Sequence, residues 1–154
     1  MAKRLAYTIT HAPQRLIAGL QTRATIGPCA AIHELWHQFC SNVGAKQSYG
    51  VCYDFMDGVY TYLAGLDVKV GEPLPDGWVS IAVPEQSFAV FEHNGDLSTI
   101  SNTWSAIVDS DDGIKSIEGE AWDHSAPTLE VFPSNFKNGG GPVTIWIPLV
   151  PKAT

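Results

Sequence analysis

One arrangement is written twice along this chain: a strand, an amphipathic helix with a tryptophan at its centre, then two more strands. In the first half, Arg15 to Arg23 is strand-like, and Gly27-Pro28 reads as an N-cap followed by proline at the first helical position. Ile32, Leu35, Trp36, Phe39 and Val43 recur at helical spacing and form one apolar stripe, with Gly44 as the stop. Val51, Tyr53 and Phe55 then alternate with Cys52 and Asp54, and Asp57-Gly58 turns the chain into the β-branched and aromatic run Val59 to Val68. Gly71 to Gly77, rich in proline and glycine, is a connection. The second half opens with strands near Val79 to Val83 and Ser87 to His93, a turn at Asn94-Gly95, and Asp96 as N-cap of a helix striped by Leu97, Ile100, Trp104 and Ile107. The acidic stretch Asp109 to Asp123 reads as loop and edge strand. Thr128 to Phe132 and Val143 to Val150 supply the last two strands, around a Gly139-Gly140-Gly141 connection. Trp36 thus parallels Trp104, Val51 to Phe55 parallels Thr128 to Phe132, and Val59 to Val68 parallels Val143 to Val150. Two helix-backed halves, about 13–70 and 79–151 of a single domain, should meet about a pseudo-twofold axis. The groove at their seam is the expected ligand site.

Composition removes several classes of function. With 154 residues, 45% of them apolar and 16% charged, the chain can bury one core and is too hydrophobic to be disordered. No apolar run approaches the ~20 residues needed to span a bilayer. A net charge of −7 disfavours a phosphate-binding surface and favours cations, so neither nucleic acid nor membrane is expected as a partner. The first residues contain no apolar region of secretory length, which points to the cytoplasm. Cys29, Cys40 and Cys52, three in number without a CxxC, read as reduced thiols that pack as small hydrophobes.

Four motifs with known chemistry were weighed. His33-Glu34-Leu35-Trp36-His37 satisfies the H-E-x-x-H template of zinc proteases. On a helical wheel, however, His33 and His37 lie roughly 100 to 140 degrees from Ile32 and flank the buried stripe. His11, His93 and His124 offer no spacing for a third ligand, so the pair reads as exposed helix histidines and no metal or other cofactor is expected. Asp109, Asp111 and Glu120 fit positions 1, 3 and 12 of a calcium loop, but Ile114 stands where glycine is required. The glycine triplet has no Lys-Ser/Thr after it to make a phosphate cradle. No G-x-S-x-G is present.

One carboxylate remains. Strand alternation in Thr128-Leu129-Glu130-Val131-Phe132 puts Glu130 with Phe132 on one face and Leu129 with Val131 on the other. The matching strand of the first half pairs Tyr53 with Phe55 in the same way. An aromatic-lined groove with an acid at its floor would follow. A half-buried carboxylate without a partner raises its own pKa, and an organic cation supplies the missing charge. Aromatic faces add ~0.5–1 kcal/mol each when exposed and ~2 kcal/mol when desolvated. The plainer possibility is a wet or paired Glu130 at a sheet edge with aromatics that belong to the core.

The segments PQRLIAGL (13–20), I-x-x-L-W-x-x-F (32–39), YGVCYD (49–54), YLAGLDV (62–68), Gly77-Trp78, SFAVFEHNG (87–95), Trp104, LEVF (129–132) and TIWIP (144–148) fall in one order. In that order the chain resembles the GyrI-like family of small-molecule-binding domains, the effector-binding domain of AraC- and MerR-type bacterial transcription activators. The resemblance implies an α+β fold with an antiparallel sheet, two helices on one face and a ligand cleft at the seam. It implies that Glu130 stands where drug-binding members meet cationic ligands, and that Trp36 is the cleft aromatic of the first helix. Phe39, Tyr53, Phe55, Trp104, Phe132 and Trp146 are further ligand-binding candidates, from strand face, helix stripe and half-to-half symmetry. About a dozen residues precede the first match, too few for a helix-turn-helix domain, so the chain resembles the stand-alone members, some of which are mobile gene-cassette products.

Three functions follow from these readings. The first is a small-molecule binding protein that takes hydrophobic organic cations in the cleft. The second is a hydrolase of reactive electrophiles, with Glu130 as general base and a cleft tyrosine as acid partner. The third is inhibition of a partner protein, as in the family's gyrase modulators, through the acidic face from Asp109 to Asp123.

Overall fold

A computed structural model describes residues 7–25, 30–43, 47–93, 100–109, 113–133 and 143–151. Its elements follow in the order β1 (Tyr7–Ala12), β2 (Arg15–Thr25), α1 (Ala30–Val43), β3 (Ser48–Met56), β4 (Val59–Val68), β5 (Val79–Val83), β6 (Gln86–His93), α2 (Ile100–Asp109), a 3-10 turn (Ile114–Ser116), β7 (Glu120–Trp122), β8 (Thr128–Phe132) and β9 (Val143–Pro151). The expected helix starts and stops at Gly27-Pro28, Gly44, Asn94-Gly95 and Asp96, together with the glycine triplet, lie outside the described residues.

Eight strands form one sheet in the order β1-β6-β9-β8-β3-β4-β2-β5, and β7 pairs with β9 off this path. Every pairing is antiparallel. Read outward from the β8/β3 seam, the order is the same on both sides: β3 matches β8, β4 matches β9, β2 matches β6 and β5 matches β1. The duplication expected from the sequence is therefore present, with one correction. Each half takes its outermost strand from the other half's stretch of chain, since β1 pairs β6 and β5 pairs β2. β1 itself was not expected, because Tyr7-Thr8-Ile9 is too short an alternation to distinguish from coil.

Connection lengths force the sheet to curl. β1 and β2 sit near opposite ends of the strand order, yet only Pro13 and Gln14 join them. At ~3.3–3.6 Å per residue so few residues reach about 10 Å, so the ends of the sheet must come together. The inner face of the curl is filled accordingly: Ile17 of β2, Tyr49 and Val51 of β3, Leu63 of β4, Phe88 of β6 and Leu129 of β8 share one buried cluster.

Both helices pack on the outer face. α1 sets Leu35 and Phe39 against Cys52, Tyr62 and Ala64. α2 sets Ile107 against Phe91, Ile145 and Ile147, with Ile114 and Ile117 of the following segment completing the cluster. The seam strands β3 and β8 thus lie under the gap between two helices, one from each half.

The Asp57-Gly58 turn between β3 and β4 forms as expected, with φ of 53° and 79° at its two residues. Two successive positive φ values are the requirement of the hairpin turn whose twist matches the strands, and glycine meets it without steric cost. Gly58→Ala should lower the unfolding free energy by about 1 kcal/mol, measured by urea denaturation, whereas Asp57→Gly should not lower it.

Candidate functional site

The outer face at the seam carries Glu130. Its β-ladder neighbours are Gly50 on β3 and Ile145 on β9, so the carboxylate rises from the middle of the sheet and not from an edge. It is 7% exposed. Leu129 goes into the inner cluster, and Glu130 and Phe132, which share the opposite face as the alternation predicts, meet Trp104 and Trp36 of the helices.

Three side chains organise the acid. The Tyr62 hydroxyl, on β4, donates to Glu130 Oε1 at 2.6 Å, and it accepts from Trp36 Nε1 of α1 at 2.9 Å. Trp104 Nε1 of α2 donates to Glu130 Oε2 at 2.8 Å. The centrally placed tryptophan of each half therefore reaches the same carboxylate, one directly and one through a tyrosine. Both indoles are only partly buried and cover the acid from two sides. Phe132 lies edge-on to Trp36 at 4.9 Å, and fully buried Phe39 supports the same indole from beneath at 5.8 Å.

Burial pushes the Glu130 carboxyl above its usual range, and the donors Tyr62 and Trp104 pull it part of the way back. Burial and the neighbouring Glu130 charge hold the Tyr62 hydroxyl well above the ordinary phenol range, so it stays a donor. Cys52, buried beside them, is kept as a neutral thiol for the same two reasons. Cys29 and the side chain of Cys40 lie outside the described residues.

Space for this network comes from Gly50. A Cβ there would overlap the Tyr62 hydroxyl and press on Glu130 Oε1. Tyr62, unlike Glu130, was not singled out from the sequence as a site residue. Every residue from Tyr60 to Gly65 is buried, so this strand shows no alternation that would assign its faces. The absent side chain at Gly50, directly across from the acid, was the available signal.

Other residues expected at the cleft lie elsewhere. Tyr53 and Trp146 are on the inner face, packed against the cluster that contains Leu129. Trp146 pairs across the ladder with Leu129, edge-on to Phe88 at 5.6 Å, and the Arg15 guanidinium sits 5.9 Å from its ring. Its cation partner is thus one of the chain's own side chains. Tyr53 donates to Gln21 Oε1 at 2.7 Å. Phe55 does not share a face with Tyr53, because the register of β3 shifts between Tyr53 and Met56, with Asp54 at φ 55°. That bulge turns Phe55 onto Tyr60, a stacked contact at 4.9 Å near the hairpin tip, where it is 50% exposed. It is Gly50 and Cys52, not Tyr53 and Phe55, that match the face of Glu130.

His33 and His37 are exposed on α1, and among the described residues no three His, Cys, Asp or Glu side chains converge as metal ligands. A groove of about 820 Å³ lies away from the acid, between the end of β4 and the 72–78 connection, with Leu66, Asp67 and Trp78 in its wall. No described helix is long and apolar enough to cross a membrane.

Comparison with known proteins agrees with this architecture. The sequence profile of the Cass2 family, described as integron-associated effector binding protein, matches residues 8–149. The transcriptional regulator BrlR of Pseudomonas aeruginosa is 34% identical over 87 residues, which is 52% of this chain and 32% of the regulator, so the chain matches about a third of that relative's length. Among solved structures, SAV2435 bound to tetraphenylphosphonium superposes with a TM-score of 0.68 at 16% identity, covering 95% of this chain and 94% of that one. An integron cassette protein from the mobile metagenome of Vibrio cholerae gives 0.65 at 16% identity over 94% and 95% of the two chains. The C-terminal domain of EcmrR gives 0.64 at 8% identity over 96% and 99%. At these identities the superpositions show a shared fold.

Two outcomes test the geometry. Gly50→Ala should break the Tyr62–Glu130 contact and cost about 1–3 kcal/mol of stability in a denaturant titration. Because Glu130 is raised in the folded state, that state holds its proton at pH values where the unfolded chain has lost it. Stability from this group is therefore greatest below the ordinary carboxylate pKa and declines as pH rises through the raised one. The decline should be missing from the pH–stability curve of Glu130→Gln, and so appear in the wild-type-minus-variant difference, followed by thermal unfolding across that range.

Proposed function

This chain belongs to the Cass2 family of integron-associated effector-binding proteins, and on that premise we propose that its effector is a hydrophobic organic cation received at Glu130. The observation that carries the reading is a carboxylate buried in mid-sheet beneath an indole from each half. Burying such a charge is costly. Tyr62 and Trp104 each occupy one position on the carboxylate, which has roughly four acceptor positions in all. The His93 ring adds some attraction for the carboxylate, but burial still holds the carboxyl raised, and further positive charge is what the site lacks. A delocalised cation provides it without demanding hydrogen bonds, and it gains from the two indole faces, at ~2 kcal/mol for a desolvated contact. A net charge of −7 attracts such a guest at long range.

Support comes also from the ligand named with SAV2435, tetraphenylphosphonium, a cation of this chemistry held by a protein of the same fold. Trp36, Phe132 and Trp104 are the wall of the proposed cleft, with Phe39 as its support. The chain matches about a third of the BrlR regulator's length, and the proposal concerns effector binding alone. The 2.6 Å contact of Tyr62 with Glu130 also suits a second reading, hydrolysis of an electrophile with Glu130 as base and Tyr62 as proton donor.

Tetraphenylphosphonium and the neutral triphenylphosphine oxide separate charge from shape. Glu130→Gln should weaken the cation at least ~10-fold, about 1.4 kcal/mol, and leave the neutral compound's Kd within ~2-fold by isothermal titration calorimetry. Equal loss of both would contradict the electrostatic role. Cation binding should also quench tryptophan fluorescence, and Trp104→Phe should reduce that quench. Turnover abolished by Glu130→Gln with binding retained would favour the hydrolytic reading.

A further inference from the structure

His93 is a buried polar residue, 3% exposed, that the proposed binding chemistry does not use. It ends β6 on the helix side of the sheet. The ladder fixes its place relative to the acid: Phe91, Ile145 and Glu130 stand in one row across β6, β9 and β8, and His93 is the next residue of β6 on the same face as Phe91. Its Nδ1 lies 2.6 Å from Thr103 Oγ1 on α2. The following residue of that helix is Trp104, whose indole N–H reaches Glu130.

We infer that His93, acting through Thr103, is a positioning residue of the cleft: it pins α2 to β6 at the height where Trp104 delivers its N–H to Glu130. The inference rests on the reading of Glu130 as the counter-charge of a bound cation. α2 is only ten residues long, Ile100–Asp109, and its apolar contacts, made by Ile107 together with Ile100 and Trp104 on the same cluster, resist lifting better than sliding. Dispersion contacts are non-directional. Hydrogen bonds weaken steeply beyond ~3.2 Å and off axis, so a short polar contact beside Trp104 fixes what the apolar stripe leaves soft. Two adjacent helix residues thus clamp α2 to two strands of the second half.

The consequence is electrostatic as well as geometric. A carboxylate this deep is kept ionisable by its donors, and the His93 ring adds attraction for its negative charge. Among the described residues, the titratable groups beside Glu130 are Tyr62 from β4, Cys52 from β3 and His93 from β6; α1 and α2 contribute the non-titrating Trp36 and Trp104. Loosening the clamp should remove the Trp104 donor and move Glu130 toward its neutral form, in which it no longer attracts a cation.

The test reads the Glu130 carboxyl directly, by ¹³C NMR titration of the ligand-free full chain, with the Trp104 indole N–H resonance as a reporter of its bond. Thr103→Val, which deletes the hydroxyl at nearly constant volume, should raise the Glu130 midpoint by about 1–2 pH units, from the ~1.5–3 kcal/mol of a charged hydrogen bond at 1.36 kcal/mol per unit. Thr103→Ser, which keeps the hydroxyl, should leave it within ~0.2 units of the wild type. His93→Gln should raise it at least as far, since it removes both clamp and ring. An unchanged midpoint and indole resonance in Thr103→Val would overturn the inference. Should Thr103→Val fail to fold, His93→Gln takes its place, and a Trp104 indole resonance unmoved in that variant overturns the inference equally. A wild type that binds tetraphenylphosphonium no better than triphenylphosphine oxide would refute the proposed function alone, because the titration involves no ligand.

Discussion

A carboxylate buried between two halves of a duplicated sheet is the constraint around which the rest of this structure is arranged. Glu130 is one of the few buried charged or polar side chains among the described residues, and the only buried carboxylate among them. Burial of an unpaired carboxylate would cost several kcal/mol. The fold offsets that cost with directed donors: Tyr62 from one half, Trp104 from the other, and Trp36 behind Tyr62. The offset is incomplete, as the raised carboxyl shows. That residual demand for positive charge is what the proposed binding of a cation would use.

The duplication explains why the acid can sit there. A single strand-helix-strand-strand unit has the strand that follows its helix, β3 or β8, at an edge, where a carboxylate would be solvated. Pairing β3 with β8 turns two edges into the centre of one sheet and brings a helix from each half over it. The short β1–β2 and β5–β6 connections then curl the sheet, so that its inner face packs on itself and its outer face is left for the helices. The symmetry is broken where the chemistry is: the residue opposite Glu130 on β3 is Gly50, and its missing side chain admits the Tyr62 hydroxyl.

Much of this was legible in the residues. The order of elements, the parallel between Trp36 and Trp104, and the shared face of Glu130 and Phe132 all follow from periodicity, because each depends on local alternation or on a helical stripe. What failed was phase. Tyr53 and Phe55 look like neighbours on one face, but the bulge that separates them is a backbone event with Asp54 at positive φ, invisible to simple alternation. Trp146 was expected at the cleft and lies on the inner face, because the run Ile145-Trp146-Ile147 is apolar on both faces and so carries no face information. Tyr62 was hidden in β4 for the same reason. His93 and Thr103 are brought together by the docking of α2 on β6, a tertiary contact that no local pattern encodes.

The most direct test of the account is a crystal structure of the protein with tetraphenylphosphonium. The account predicts the phosphonium within about 6 Å of the Glu130 carboxylate, with its rings against Trp36 and Trp104 in the gap between α1 and α2. A cation lodged instead in the groove beside Trp78, or one that leaves the Tyr62–Glu130–Trp104 network untouched and remote, would contradict it.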